Sequence, residues 1–206
     1  IVGAWFIKQI WWVALGAGVA TALAFSDYKL WLRHAWWIYL AALALLVLVS
    51  FFAKRVYGAY RWLVVFGVPV QPSEFAKVAL VLLLARVLAS PAIRPRSLWT
   101  VLLALFLVGV PGGLILLEPD FGTAMILAPT VILVLFAAGC ALRHLLLLGA
   151  VAGGGLALLL SPLARFVLSD YQQERIATFL DPGRDPLGSG WNALQSAIAV
   201  GSGGVW

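Results

Sequence analysis

Residues Leu98–Leu117 read LWTVLLALFLVGVPGGLILL, twenty positions without a charged side chain. An α-helix rises ~1.5 Å per residue, so this run reaches about 30 Å, the thickness of the hydrocarbon layer of a bilayer. Outward from it, similar apolar stretches recur at Gln9–Ser26, Trp36–Ala53, Ser73–Ser90, Phe121–Gly139 and Leu145–Leu160. They are continuous and rich in Leu and Ala rather than alternating apolar with polar. That favours helices over a β-barrel, because a helix satisfies its backbone hydrogen bonds within one segment. The predicted fold is all-α, a polytopic membrane helical bundle with six transmembrane helices in this chain.

Composition agrees. Of 206 residues, 64% are apolar and only 11% charged, too few to coat a soluble domain of this size. The 14 Lys and Arg against 8 Asp and Glu give a net charge of +6, but the basic residues lie scattered between apolar runs. They read as membrane flanks facing lipid headgroups, and no stripe for nucleic acid is present. The single cysteine, Cys140, excludes a disulfide framework and a multi-cysteine metal site, and packing is its expected role. No cleavable signal pattern opens the chain, which starts without Met, and both ends are expected to be truncated.

Ser26-Asp27, Pro72-Ser73-Glu74, Ser90-Pro91, Pro119-Asp120 and Ser161-Pro162 punctuate the spans as caps and stops. Trp11, Trp12, Trp31, Trp36, Trp37 and Trp99 are read as an aromatic belt near the span ends. Pro111-Gly112-Gly113 is expected to interrupt and kink the fourth span. If the spans alternate, the loops Asp27–Ala35, Pro91–Ser97 and Cys140–His144 share one side. Lys and Arg counts do not decide which side it is. These short loops, nearly free of acidic residues, are assigned to the cytoplasm, so the chain starts and ends outside. One integral membrane domain, residues 1–206, would then carry an extracytoplasmic or interfacial loop at 54–72 and a large extracytoplasmic loop region at 161–206.

Polar residues collect on that outer side. Glu74 and Lys77, three apart, share a helical face one turn into an apolar span; such a pair marks either an internal ion pair or a wet cavity. Ser73 is expected to cap that helix. Asp120 reads as a helix cap or as one of two carboxylates, with Glu118, able to orient a cation. In Asp170–Gly204 the hydrophobic character collapses. Asp181-Pro182 and Asp185-Pro186 resist helix, and Trp191, Asn192, Gln195 and Ser196 then open an apolar helix, as if directing polar groups inward. His34 and His144 fall on the opposite side, and no phosphate-cradling loop, HExxH or cysteine cluster competes. A carboxylate-rich outer cavity bearing Arg and Lys suits a diphosphate-bearing sugar lipid.

The strings QPSEFAK (Gln71–Lys77), EPDFGTA (Glu118–Ala124) and ERIATFLDPGRDPLGSGWNALQSAIAVGSGG (Glu174–Gly204) stand in one register along the chain. They resemble the SEDS family of bacterial shape, elongation, division and sporulation proteins, and IAVGSGG is closer in form to its RodA branch than to its FtsW branch. The resemblance implies a fold of ten transmembrane helices, of which this chain would hold the second to seventh. It also implies a peptidoglycan glycosyltransferase that polymerises lipid II outside the bacterial inner membrane, with a class B penicillin-binding protein as partner. By position in DPxxDPxGxG, the family's essential acid falls on Asp185, which would act as general base on the acceptor 4-hydroxyl. Arg61, Trp62, Glu74, Lys77, Asp120, Asp181, Gln195 and Ser196 would contact substrate. Leaving-group charge would be met by Arg61, Lys77 or another cation, a divalent metal among the candidates. A lipid II transporter, for which broken helices and buried charge are natural, is the competing reading. A non-catalytic scaffold for a partner's membrane helix is a third.

Overall fold

The computed structural model describes residues 2–52, 54–56, 59–65, 67–118, 120–161, 166, 170–188 and 190–203. The chain divides into two compact units, Ile1–Cys140 and Ala141–Trp206. The first runs α1 (Val2–Ala24), α2 (Tyr28–Phe52), β1 (Lys54–Val56), β2 (Ala59–Val65), β3 (Val68–Val70), α3 (Pro72–Leu88), α4 (Leu98–Leu117) and α5 (Phe121–Ala137). The second runs α6 (Leu142–Leu160), α7 (Asp170–Leu180), a 3-10 turn (Pro182–Arg184) and α8 (Trp191–Ser202).

All six expected spans are helices, and the fold is polytopic and helical. By length and composition, α1, α2, α4 and α6 can each cross a membrane. The helices α3 and α5 have 17 residues each, about 25 Å, at the lower end of spanning length. The first two helices start earlier than their apolar runs. Thus Tyr28–Ala35, expected as loop, is the opening of α2, and Trp11 and Trp12 fall in the middle of α1 rather than at its end. Hydropathy marks where side chains meet lipid tails, whereas backbone hydrogen bonding carries the helix on among Lys29, Arg33 and His34. The turn between them is fixed by Asp27, whose Oδ1 accepts from the Lys29 amide at 2.9 Å, and by Ser26, whose hydroxyl accepts from Trp31 Nε1 at 2.7 Å.

Segment 54–72, expected as a loop, instead carries a three-stranded antiparallel sheet in the order β1-β2-β3. Trp62 stands opposite Lys54, and Val65 opposite Val68. Gly67, at φ 82, closes the two-residue connection between β2 and β3 in a conformation that side chains disfavour. The segment AYRWLVV is aromatic and β-branched, which suits a pleated ribbon better than an irregular chain.

The core of the first unit is built from helical stripes. Ala35, Tyr39, Ala42, Leu46 and Val49 of α2 are buried at alternating spacings of four and three, a seam that faces one partner continuously. The most extensive packing of α2 is against α3, whose Ala76, Ala79, Leu80, Leu83 and Leu84 are buried in turn. Alanines on both faces let the backbones approach, which matters where lipid removes the hydrophobic drive between helices. At the other end of the pair, Arg86 Nη1 of α3 donates to the Leu32 carbonyl of α2 at 2.5 Å, fixing the two as antiparallel.

The helix α4 is not interrupted at Pro111, as expected, but continues through it to Leu117. Proline supplies no N–H for the carbonyl four residues back, that of Leu107. Tyr39 fills the vacancy: its hydroxyl donates to Leu107 O at 2.7 Å from across the α2–α4 contact. At the end of α5, Gly139 at φ 80 closes a Schellman turn. Its amide bonds Phe136 O and the Cys140 amide bonds Leu135 O, both at 3.0 Å, and Cys140 is buried as expected.

Candidate functional site

In the first unit, α3 begins at Pro72, a residue suited to the first helical position because its missing N–H is an orphan there anyway. Gln71 is therefore the cap residue, and Ser73 does not cap as expected. It lies inside the first turn, fully buried, its hydroxyl without a hydrogen-bond partner among the described residues. Gln71 reaches across to α5: its Nε2 donates to Asp120 Oδ2 at 2.9 Å. Asp120, 3% exposed, is the N-cap of α5, accepting the Thr123 amide on Oδ1 at 3.3 Å and the Thr123 hydroxyl on Oδ2 at 2.9 Å. The cap reading of Asp120 is thus realised. The strings QPSEFAK and EPDFGTA thus meet in space through one carboxylate.

Asp120→Ala removes a cap and leaves Gln71 and Thr123 without their shared acceptor. It is expected to cost about 1–3 kcal/mol, read as a lowered unfolding midpoint of the purified protein in detergent. Asp120→Asn, which keeps an acceptor oxygen, is expected to cost less than half of that. Equal stability of Ala variant and parent would remove Asp120 as the joint.

Glu74 and Lys77 form the internal ion pair, with Nζ 2.8 Å from Oε1. Glu74 is 56% exposed and Lys77 22%, so the pair lies half out of the protein and contributes little to stability by itself. Its carboxylate also favours the positive end of α3. Trp62 is half-buried on β2. Arg61 occupies β2 by its backbone, while its side chain lies outside the described residues, as do Pro119, Pro162, Arg165 and Ser189.

In the second unit, the sequence DPGRDPLG builds one local conformation twice. Asp181 and Asp185 adopt φ/ψ of −140/83 and −136/78, the extended backbone that a following proline imposes. Because that proline offers no amide, each carboxylate takes a later one: Asp181 Oδ1 from Gly183, and Asp185 Oδ1 from Gly188, both at 3.1 Å. The Gly190 amide closes the turn onto the Asp185 carbonyl at 3.0 Å. Against this turn stands α7, whose Gln173, Glu174, Ala177 and Thr178 recur at helical spacing on one face. Together with Arg184 and Asp185 they line an open cleft of about 540 Å³.

The expected residue Asp185 is in that cleft; Asp181 caps the 3-10 turn beside it. Gln195 and Ser196 are exposed on α8 and do not line it. Ser196 spends its hydroxyl on the Asn192 carbonyl of its own helix, at 2.8 Å. Among the described residues α8 packs against the 3-10 turn, and its polar side chains stay exposed. Gln173, Glu174, Thr178 and Arg184 were not singled out from sequence. The signal for Gln173, Glu174 and Thr178 is polar residues one and four apart just ahead of the first Asp-Pro, and that for Arg184 is its place between the two Asp-Pro pairs. Among the described residues, no three His, Cys, Asp or Glu side chains gather to hold a metal ion.

The family model described as cell cycle protein, of FtsW, RodA and SpoVE, matches residues 3–206. The chain is 34% identical over 202 residues to the probable peptidoglycan glycosyltransferase FtsW of Thiomicrospira cyclica, covering 98% of this chain and 50% of the relative. To the peptidoglycan glycosyltransferase MrdB of Escherichia coli K12 it is 36% identical over 198 residues, covering 96% and 52%. The chain thus spans about half the length of these curated relatives. Among solved structures, one from a study of structural coordination of polymerization and crosslinking by a peptidoglycan synthase complex aligns with a TM-score of 0.69 at 40% identity, over 94% of this chain and 56% of that one. The rod shape determining protein RodA of Thermus thermophilus aligns with a TM-score of 0.57 at 37% identity, over 68% and 47%.

Proposed function

The chain belongs to the FtsW/RodA/SpoVE family of cell cycle proteins, and from that membership we propose that it is the catalytic part of a peptidoglycan glycosyltransferase. The enzyme polymerises lipid II at the extracytoplasmic face of the bacterial inner membrane, during cell elongation, beside a class B penicillin-binding protein. The relatives named as peptidoglycan glycosyltransferases support the activity. The neighbour from a peptidoglycan synthase complex supports the partner. The IAVGSGG string supports the elongation branch, and the alternation of spans along the sequence supports the outer face.

The observation that carries the chemistry is the Asp185 carboxylate, held by a backbone amide at the edge of a cleft it shares with Glu174 and Arg184. In the reaction Asp185 takes the proton of the acceptor sugar's 4-hydroxyl. The freed oxygen pair forms the bond to C1 of the donor chain, and the bond from C1 to the diphosphate oxygen breaks. Undecaprenyl diphosphate departs with inversion at C1, so no covalent sugar on the protein is needed. Arg184 lines the same cleft and is suited to hold diphosphate, since fixed positive groups help most where negative charge develops. Lys77 is already engaged by Glu74; in the first unit Arg61, Trp62, Glu74, Lys77 and Asp120 stay proposed substrate contacts. In the second unit Asp181, Gln195 and Ser196 stay proposed substrate contacts outside the lining of the cleft.

The transport reading draws on a kink at Pro111-Gly112-Gly113 and on the Glu74/Lys77 pair; Pro111 lies inside a continuous α4 and the pair is an ion pair half exposed, so neither feature favours transport over polymerisation. The test is to give lipid II to the full-length protein in vesicles and follow both glycan strands and movement of the lipid across the bilayer. Strands are expected. Lipid movement without strands, under conditions where the partner is present, would replace the polymerase by a transporter.

A further inference from the structure

The two glycines that follow Asp185 have different neighbours, and the difference separates chemistry from folding. A Cβ built on Gly190 collides with the Pro182 carbonyl oxygen and comes within 2.8 Å of the Asp185 carbonyl oxygen. Both are backbone atoms, so a side chain at position 190 forces the turn itself apart. A Cβ built on Gly188 collides instead with Asp185 Oδ2 and comes within 2.8 Å of Asp185 Cγ. Those atoms end a short side chain that turns about two bonds, so the carboxylate yields and the backbone stays. Gly188 has no positive φ, and alanine suits its backbone. The same residue donates its amide to Asp185 Oδ1 at 3.1 Å. One face of Gly188 therefore holds the carboxylate, and its missing side chain leaves the space in which the carboxylate sits.

We infer that Gly188 is a positioning residue for the glycosyl transfer: its amide and its bare Cα aim the Asp185 carboxylate into the cleft beside Glu174 and Arg184. The inference rests on the reading of Asp185 as the general base. A base must lie within hydrogen-bond reach of the proton it takes, and displacement by about 1 Å costs on the order of 10²-fold in rate.

The experiment compares Gly188→Ala, Gly190→Ala and Asp185→Asn in the full-length protein, with lipid II as substrate and tryptic cleavage after Arg184 as the probe of the turn. Gly188→Ala is expected to lower kcat about 10–100-fold with KM within about twofold, and to leave cleavage at the parent rate. Gly190→Ala is expected to speed cleavage and to disturb kcat and KM together. Parent-like kcat in Gly188→Ala, while Asp185→Asn is inactive, overturns the positioning role and leaves the base assignment standing. Cleavage of Gly188→Ala as fast as that of Gly190→Ala also overturns it, since the role would then be structural. An active Asp185→Asn overturns the base assignment and the positioning role with it.

Discussion

Asp185→Asn is expected to lower lipid II polymerisation by about 10²–10⁴-fold, the usual contribution of one well-placed general base, with lipid II binding little changed. The substitution is chosen for what it preserves. Asparagine has the shape of aspartate and keeps an oxygen that can accept the Gly188 amide, the contact at 3.1 Å that holds the carboxylate now. The turn from Asp181 to Gly190 should therefore persist while the proton acceptor is lost. Asp181→Asn supplies the comparison, because Asp181 has nearly the same backbone angles and the same kind of amide contact, one Asp-Pro step earlier. Its effect is expected to stay within about tenfold, as for a residue that binds without exchanging a proton. Strand synthesis measured on gels with purified full-length variants decides the matter. Equal losses at both aspartates would mean that the turn, and no particular carboxylate, is what activity needs.

The second large effect concerns stability. Tyr39→Phe is expected to destabilise the first unit by about 1–2 kcal/mol, near the top of the range for hydrogen bonds between membrane helices. Tyr39 and Leu107 are each 4% exposed, so the carbonyl that Tyr39 serves has no water to turn to. The cause of its need is Pro111, four residues on, and that makes the prediction specific. Pro111→Ala restores an amide to the ladder of α4, after which the carbonyl no longer depends on Tyr39. In the Pro111→Ala background, Tyr39→Phe should cost less than half as much, measured by reversible unfolding in detergent and read as a double-mutant cycle. Simple additivity would mean that the hydroxyl's role is packing and that the helix carries Pro111 by other means.

Particular residues show what could be read from sequence. Leu98–Leu117 was legible to the residue because a charge-free run ends in Ser97 on one side and Glu118 on the other. The start of α2 was not, since Lys29, Arg33 and His34 lower the hydropathy of a helix whose backbone is indifferent to them. The sheet was hidden for the opposite reason. Its strands β1 and β3 have three residues each, too few for alternation to declare itself, and the apolar centre of β2 reads equally well as an interfacial loop. At the site, Asp185 was legible through a motif, whereas Glu174 and Thr178 become visible when α7 is wound and set against the turn. Tyr39 as the partner of Leu107 lay beyond any local pattern: 68 positions separate them.

The brevity of α3 and α5 has a consequence for the surrounding lipid. Joined at their starts by Gln71 and Asp120, both fall about 5 Å short of a 30 Å hydrocarbon layer. Around that pair the leaflet must dimple, or else Glu74 and Lys77 sink into acyl chains, each ångström of mismatch carrying a modest penalty. A membrane enriched in longer acyl chains strains this corner first, so bilayer thickness itself becomes a dial on how deeply the Glu74–Lys77 pair sits.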